Sequence, residues 1–185
     1  MQTELVDRAR RGDREAFSVL AGGAVDRLYG IARLILRDAE LAEDATQEAL
    51  VRAWRDLPTL RDVERFDAWL YRLIVRSAAD VGRHRRRWRA EITVLSTEPA
   101  EPDRTSALAD RDQLERGLRR VSDDQRTILV LTYYVGLSAA DAADALDIPV
   151  GTAKSRLFYA IQALRAALEA DDRAGNGALR EGRPA

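Results

Sequence analysis

The sequence predicts an all-α protein of two small helical domains joined by a flexible linker, on three observations. Apolar residues recur at three- and four-residue spacings along most of the chain, with no clear period-two run. Helix-start signals (Asp13, Asp38, Ser122, Ser138) stand just ahead of those periodic segments. One stretch, EITVLSTEPAEPDRTS at 91–106, loses the period, gains two prolines and carries one arginine against four acids.

In chain order, a short helix near 3–11 ends at Gly12. Asp13 caps a longer amphipathic helix to about Leu36, with Gly22-Gly23 as its weak point. Asp38 caps a third helix through Leu57, which Pro58 stops. A fourth starts at Asp62 or Glu64 and enters an arginine run near 85. After the linker come helices at about 107–120, 123–134, 139–146 and 149–170. Ser122 with Gln125 forms a capping box for the second of these, and Pro149 suits the first position of the last. The expected division is 1–90 for the first domain, 91–106 for the linker, 107–170 for the second domain and 171–185 for a polar, disordered tail.

Composition removes several function classes. Apolar residues make up 46% and charged residues 33%, as suits a soluble, folded chain. No stretch approaches the roughly 18 apolar residues that span a bilayer, and the first residues lack a secretory apolar core. Direct membrane insertion is therefore not expected, and a cytoplasmic location is. Without cysteine there are no disulfides or thiolate metal sites, and His84 is the single histidine. We expect no metal, no cofactor and no catalytic residues. The net charge of −1 hides an uneven distribution, since residues 1–90 hold 18 arginines against 15 acids.

The segment LSAADAADALDIPVGTAKSRLFYAIQALRAAL carries the sharpest local signal. A short Ala-rich helix is followed by a tight Leu146–Pro149 connection and a longer helix. In that helix Val150, Ala153, Leu157, Ile161, Leu164 and Leu168 form one stripe and should face the core. Thr152, Ser155, Tyr159 and Gln162 lie opposite, flanked by Gly151 and Arg156. Small and polar groups beside an arginine suit a major groove, and the amides at the helix start favour phosphate. On geometry alone this is a DNA-binding helix-turn-helix or an ordinary helical hairpin with a solvated face.

GLSAADAADALDIPVGTAKSRL resembles region four of sigma factors, whose usual text is close to GLSYAEIAEILGIPVGTVKSRL. Gly151, Thr152, Lys154, Ser155, Arg156 and Leu157 match residue for residue. The resemblance implies a helix that reads the −35 promoter element. Tyr159-Ala160-Ile161 replaces the family's frequent Arg-Ala-Arg, which implies altered −35 specificity, with Tyr159 available to a thymine methyl or a phosphate.

In the first half, the third helix projects Thr46, Leu50, Ala53, Trp54 and Leu57 to a side that should be buried. Asp44, Glu48 and Val51 point the other way, with Gln47 at the border. Spacing alone favours a bland reading: acids near a helix start complement its dipole, and Glu48 can pair with Arg52. LAEDATQEALVRAW, however, is similar to the family's region-two signature, roughly DAEDLVQETFLRAW. Matching Asp44, Gln47 and Glu48 implies docking on the clamp coiled coil of the polymerase β′ subunit. Ala45 and Thr46 are smaller than the family's apolar pair.

On the fourth helix Phe66, Leu70, Leu73, Ile74, Ser77 and Val81 form a core face, while Arg65, Arg72, Arg76 and Arg83 line up opposite. Trp69 borders that stripe, and Arg83-His84-Arg85-Arg86-Arg87-Trp88-Arg89 extends it. Arginines beside aromatics make an electrostatic track with stacking surfaces, as opened DNA requires. The competing reading is a solvated charged face with Trp69 in the core. FDAWLYRLIVRSAADVGRHRRR resembles the family's −10-binding helix, usually near FRAWLYRIARNLAIDHLRRRRR, with Val75-Arg76 replacing Arg-Asn. By loop position, the family's base pocket implies a site around Leu60, Arg61, Asp62 and Val63.

Two signatures in the expected order identify the chain as a member of the extracytoplasmic-function (ECF) subfamily of the sigma-70 family. The implied partners are core RNA polymerase (β′ clamp and β flap), promoter DNA and an anti-sigma factor. Two alternatives are a stand-alone helix-turn-helix regulator, and a helical hydrolase using Asp44 and Glu48. The second lacks a metal cluster, a Gly-rich phosphate loop and a nucleophile–His pair.

Overall fold

The computed structural model describes the backbone of residues 1–93 and 109–181, and the side chains of 1–88, 114 and 116–170. Among the described residues the regular elements are all helical: α1 (Gln2–Arg10), α2 (Arg14–Leu36), α3 (Ala39–Asp56), α4 (Phe66–Thr93), α5 (Ala109–Arg120), α6 (Asp123–Leu129), α7 (Ala139–Leu146) and α8 (Val150–Glu181). Short 3-10 turns at Leu57–Thr59 and Val63–Arg65 join α3 to α4, and a π turn at Val130–Tyr134 extends α6.

The helix starts sit where the polar residues place them. The Asp13 carboxylate accepts from the amides of Glu15 and Ala16, each at 3.0 Å, and Asp38 accepts from Leu41 at 3.1 Å. Ser122 and Gln125 close a reciprocal capping box, and Ser138 accepts from the amide of Asp141 at 3.1 Å. The Gly22-Gly23 pair does not interrupt α2. Flanking Leu20, Ala24 and Leu28 are buried, and their packing outweighs the weak propensity of two glycines.

The first core forms where α2, α3 and α4 meet, around Leu28, Ile31, Leu70 and Ile74. α3 lines it with small residues (Ala42, Ala45, Thr46, Ala49, Ala53), so the three helices approach closely. The expected burial of Trp54 is corrected for this reason. Alanines already fill the near side of α3, and Trp54 lies at the rim, 37% exposed, its ring 5.0 Å from that of Phe17.

The second domain gathers α5 to α8 around Ile128, Leu131, Ala142, Ala153 and Ala160. Asp147 ends α7 in the left-handed conformation (φ 57°), which Asp tolerates better than most side chains. The amide of Ile148 then bonds back to the carbonyl of Ala143 at 3.1 Å. α8 opens at Val150, one residue later than expected. Val150 is itself 41% exposed, because the buried line of α8 runs through Ala153, Ala160 and Ala167.

Two boundaries differ from expectation. α4 continues to Thr93, into the segment read as linker, because Glu91, Ile92 and Thr93 include nothing that stops a helix already nucleated. α8 likewise continues to Glu181, through a tail read as disordered and past Gly175 and Gly177, which local propensity does not favour in a helix. Residues 94–108 and 182–185 lie outside the described residues.

The domains touch along one seam. α4 packs against α7, and α2 against α6 and the π turn. Tyr71 and Val75, off the predicted core face of α4, are buried as well, and the Arg27 guanidinium of α2 lies over the Tyr71 ring at 5.2 Å.

Candidate nucleic-acid and partner interfaces

The outer face of α3 holds the residues singled out for docking. Asp44 and Gln47 are exposed, Glu48 is half-buried, and Val51 is an apolar side chain left 61% exposed. Glu48 accepts from Arg52 Nε at 2.7 Å, and Arg52 reaches Asp80 of α4 at 2.9 Å. Hydrogen bonding from Glu48, with help from Asp80, holds the Arg52 guanidinium above its ordinary pKa despite partial desolvation. Arg83 bonds to Asp80, so a chain of four charges ties α3 to α4. Beside it lies an open cleft of about 830 Å³ walled by Asp44 and Glu48 on α3 and by Arg83, His84, Arg87 and Trp88 on α4. The Glu48–Arg52 pair expected from spacing is present, and it leaves Asp44, Gln47 and Val51 facing outward.

The four arginines expected to line up do not form one uniform stripe, and Arg65 belongs to the 3-10 turn that precedes α4. Arg65 and Arg76 are exposed and Arg72 is half-buried, all on the side toward the second domain. Arg83 instead belongs to the cleft with α3. Trp69 is half-buried, its ring 5.9 Å from that of Phe66 and tilted 38° to it. Arg85 lies over the Trp88 ring at 5.3 Å.

In the loop before α4, Arg61 and Asp62 are exposed, and the Asp62 carboxylate caps the amide of Glu64 at 3.0 Å. Val63 is half-buried. Leu60 turns inward, 8% exposed, and its carbonyl accepts from Arg10 at 3.1 Å.

On α8, Gly151, Thr152, Lys154, Ser155 and Tyr159 are exposed along one face. A Cβ built on Gly151 would meet open space. The Ser155 hydroxyl donates to the carbonyl of Thr152 at 3.0 Å, and half-buried Arg156 pairs with Asp124 of α6 at 3.2 Å. Sequence reasoning missed Phe158, which is 58% exposed and meets Tyr159 edge-on at 5.5 Å. Its signal was its position between the polar and apolar stripes of α8.

It also missed Asp144 and Asp147. Asp147 lies 3.4 Å from Arg76, and Asp144 4.0 Å from Arg65. Partners more than 70 residues apart on different domains leave no trace in local periodicity.

Comparison with known proteins identifies both helical units. Residues 24–90 match the family model for sigma-70 region 2, and residues 111–164 that for sigma-70 region 4. The chain is similar to the RNA polymerase sigma-H factor of Pseudomonas aeruginosa, 34% identical over 181 residues, covering 90% of this chain and 93% of that protein. It is 36% identical over 149 residues to the ECF RNA polymerase sigma factor SigL of Mycobacterium tuberculosis, covering 77% and 82% respectively. Among solved structures, the sigma factor RpoE of Bartonella quintana, in complex with the anti-sigma factor NepR, superposes with a TM-score of 0.69 at 25% identity, over 84% of this chain and 98% of that one. CnrH in complex with the cytosolic domain of CnrY gives 0.67 at 27% identity, over 92% and 98%.

Proposed function

This chain belongs to the extracytoplasmic-function subfamily of the sigma-70 family, RNA polymerase sigma factors that direct promoter-specific transcription initiation, and we propose that three faces of its two domains divide that work. The first domain spans about 1–90 and the second about 107–170, with the intervening segment threading between them on the polymerase.

The outer face of α3 docks on the β′ clamp through Asp44, Gln47, Glu48 and Val51. An exposed valine among acids is suited to a partner with apolar and basic residues, and its burial adds affinity that charge alone does not. Arg61, Asp62, Arg65, Trp69, Arg72 and Arg76 capture the opened −10 strand, the arginines meeting phosphates and Trp69 a base. Leu60 floors this site from the core, and Arg83 contributes from its edge. Gly151, Thr152, Lys154, Ser155, Arg156 and Tyr159 read −35 duplex, with the α8 amides favouring a phosphate. Phe158 and Tyr159 offer apolar contact to thymine methyls where the usual arginines are replaced. The β flap holds the second domain.

The chain performs no chemistry of its own, since capture of an opened strand and reading of a duplex are binding work. An anti-sigma factor is the regulatory partner, by analogy with the RpoE–NepR complex. No helix among the described residues is long and apolar enough to cross a membrane, and the cytoplasm is the compartment where polymerase would be met.

The observation that carries this reading is that the polar residues matching the two signatures, Asp44 and Gln47 on α3 and Thr152, Lys154 and Ser155 on α8, lie on outward faces of two folded helical units. Val51→Asp tests the docking face. An exposed substitution should change stability by no more than about 0.5 kcal/mol, yet weaken binding to core polymerase by about tenfold or more, the loss expected when an apolar anchor is replaced by a charge. Equal affinity for the variant and the parent in a fluorescence-anisotropy titration would remove α3 from the polymerase interface.

A further inference from the structure

Between α3 and α4, Leu60, Arg61 and Asp62 lie outside any helical turn. Short-range bonds shape the chain around them. The amide of Leu60 donates to the carbonyl of Leu57 at 3.0 Å, that of Arg65 to the carbonyl of Asp62 at 3.2 Å, and that of Glu64 to the Asp62 carboxylate at 3.0 Å. Such bonds set the form of a turn but not its place on the protein. Burial of Leu57 and Leu60 seats the near end of the loop. The carbonyl of Leu60 then accepts from Arg10 Nη1 of α1 at 3.1 Å, across 50 residues of chain. Among the described residues this is the one bond from a distant side chain to the backbone of the loop.

Arg10 is itself held. Its Nη2 donates to the Asp7 carboxylate, one turn earlier, at 2.8 Å, so two nitrogens of one planar fork are fixed by two acceptors. α1 is seated by buried Val6 and Ala9, and it reaches the far end of the loop as well. The Thr3 hydroxyl donates to Glu64 at 3.1 Å, and the Gln2 amide lies 3.4 Å from the Asp67 carboxylate. Arg27 of α2 pairs with the same Asp67 at 2.9 Å. α1 therefore brackets Arg61 and Asp62, which stand exposed between two anchored ends. The helix precedes residues 24–90, the part that matches sigma-70 region 2, and carries none of the residues assigned to polymerase or DNA.

We propose that α1 is a positioning element for −10 capture, in which Arg10, through the carbonyl of Leu60, holds Arg61 and Asp62 in the arrangement that meets a base. The proposal rests on the reading of Leu60, Arg61 and Asp62 as part of the −10 site. Arg10 does not touch DNA. A loop ordered before the strand arrives loses little conformational freedom on binding, and that saving goes to the base it recognises. Arg72 and Arg76, meeting phosphates, place the strand without reading its sequence. Loosening Arg10 therefore costs base discrimination rather than general affinity.

Arg10→Met tests this in the full chain bound to core polymerase. The parent holoenzyme selects a preferred strand from a randomised single-stranded DNA library, and fluorescence anisotropy compares that strand with its single-base variants. The most damaging base change should cost the parent about fivefold or more in affinity. In Arg10→Met this penalty should shrink by about threefold or more, while affinity for a base-scrambled strand and for core polymerase stays within about twofold. Arg10→Lys keeps a donor for the Leu60 carbonyl and should restore part of the penalty. An unchanged penalty in Arg10→Met overturns the proposal. So does an equal loss on every strand, which marks a general loosening of the domain. Should Arg10→Met fail to fold, Asp7→Asn decides in its place: it removes the charge that orients Arg10 and leaves Val6 and Ala9 seated, and an unchanged penalty there overturns the proposal equally. Arg61→Ala with Asp62→Ala separates the two ideas. If that pair abolishes the penalty and Arg10→Met does not reduce it, the −10 loop stands and only the positioning has failed; if neither alters it, the loop itself was misassigned.

Discussion

Replacing Arg126 by methionine keeps most of the side-chain volume and removes every donor. Arg126 is 3% exposed and donates to the carbonyls of Leu118 (2.9 Å), Val121 (3.0 Å) and Ile35 (2.8 Å), as well as to Asp123 (3.0 Å). Burial lowers its pKa, and Arg37 adds to the lowering, while Asp123 opposes it. It nonetheless stays a cation, since a guanidinium begins so far above neutrality. Asp123 keeps Arg86 as a partner in the variant. The carbonyls of Leu118 and Val121 lose this donor, and Ile35 regains water only if the domains part. A buried polar group without a partner costs about 1–3 kcal/mol, so the Leu118 and Val121 carbonyls place the loss near 2–6 kcal/mol, and Ile35 adds to it while the domains stay docked. For a chain of this length each kcal/mol is worth about 2–4 °C in Tm. Urea unfolding followed by far-UV circular dichroism gives the total. Tryptophan fluorescence isolates the first domain, because Trp54, Trp69 and Trp88 all lie there. Arg126→Lys should recover only part of the loss, since an ammonium cannot reach carbonyls spread around a planar fork. A loss below about 1 kcal/mol for the methionine variant would refute the reasoning, because it would mean the carbonyls find other donors at no cost.

Three further outcomes follow from the same structure. The amides of Ala16 and Glu15, together with Arg8, hold the Asp13 carboxyl below the ordinary aspartate pKa. A depressed acid stabilises the fold above its unfolded value and stops doing so as pH falls through its folded value, so the urea midpoint should drop below about pH 4, and Asp13→Asn should flatten that part of the profile. Arg156→Ala should cost about 1–3 kcal/mol on the cognate −35 duplex if its guanidinium meets a base edge; an equal loss on unrelated duplexes in the same competition assay would mark a phosphate contact instead. Ile74→Ala, at a fully buried position where α2, α3 and α4 meet, should destabilise the first domain by about 2–5 kcal/mol, read from the urea midpoint of tryptophan fluorescence.

Local chemistry was the most legible part of the sequence. Asp13, Asp38, Ser122 and Ser138 announced helix starts because a short polar side chain bonding its own backbone is a neighbour effect, complete within four residues. The outward placement of Asp44, Gln47, Val51, Thr152, Ser155 and Tyr159 followed from the helical period in the same way. Depth was harder to read. Periodicity tells which side of a helix is apolar, but not how near its neighbours come: an alanine-lined α3 leaves Trp54 at the rim, and an alanine line on α8 leaves Val150 half out. Contacts between domains were hidden altogether. Nothing near Arg76 in the chain points to Asp147, and nothing near Arg65 points to Asp144.

The central claim is that both helical domains act on one polymerase at one promoter. Transcription from a genomic fragment library by purified core polymerase, with and without this chain, tests it most directly. The prediction is a set of defined start sites that appear only with the chain, that share upstream elements at a constant spacing, and that are lost with Val51→Asp. Transcripts that begin at the same scattered positions whether or not the chain is added would contradict it.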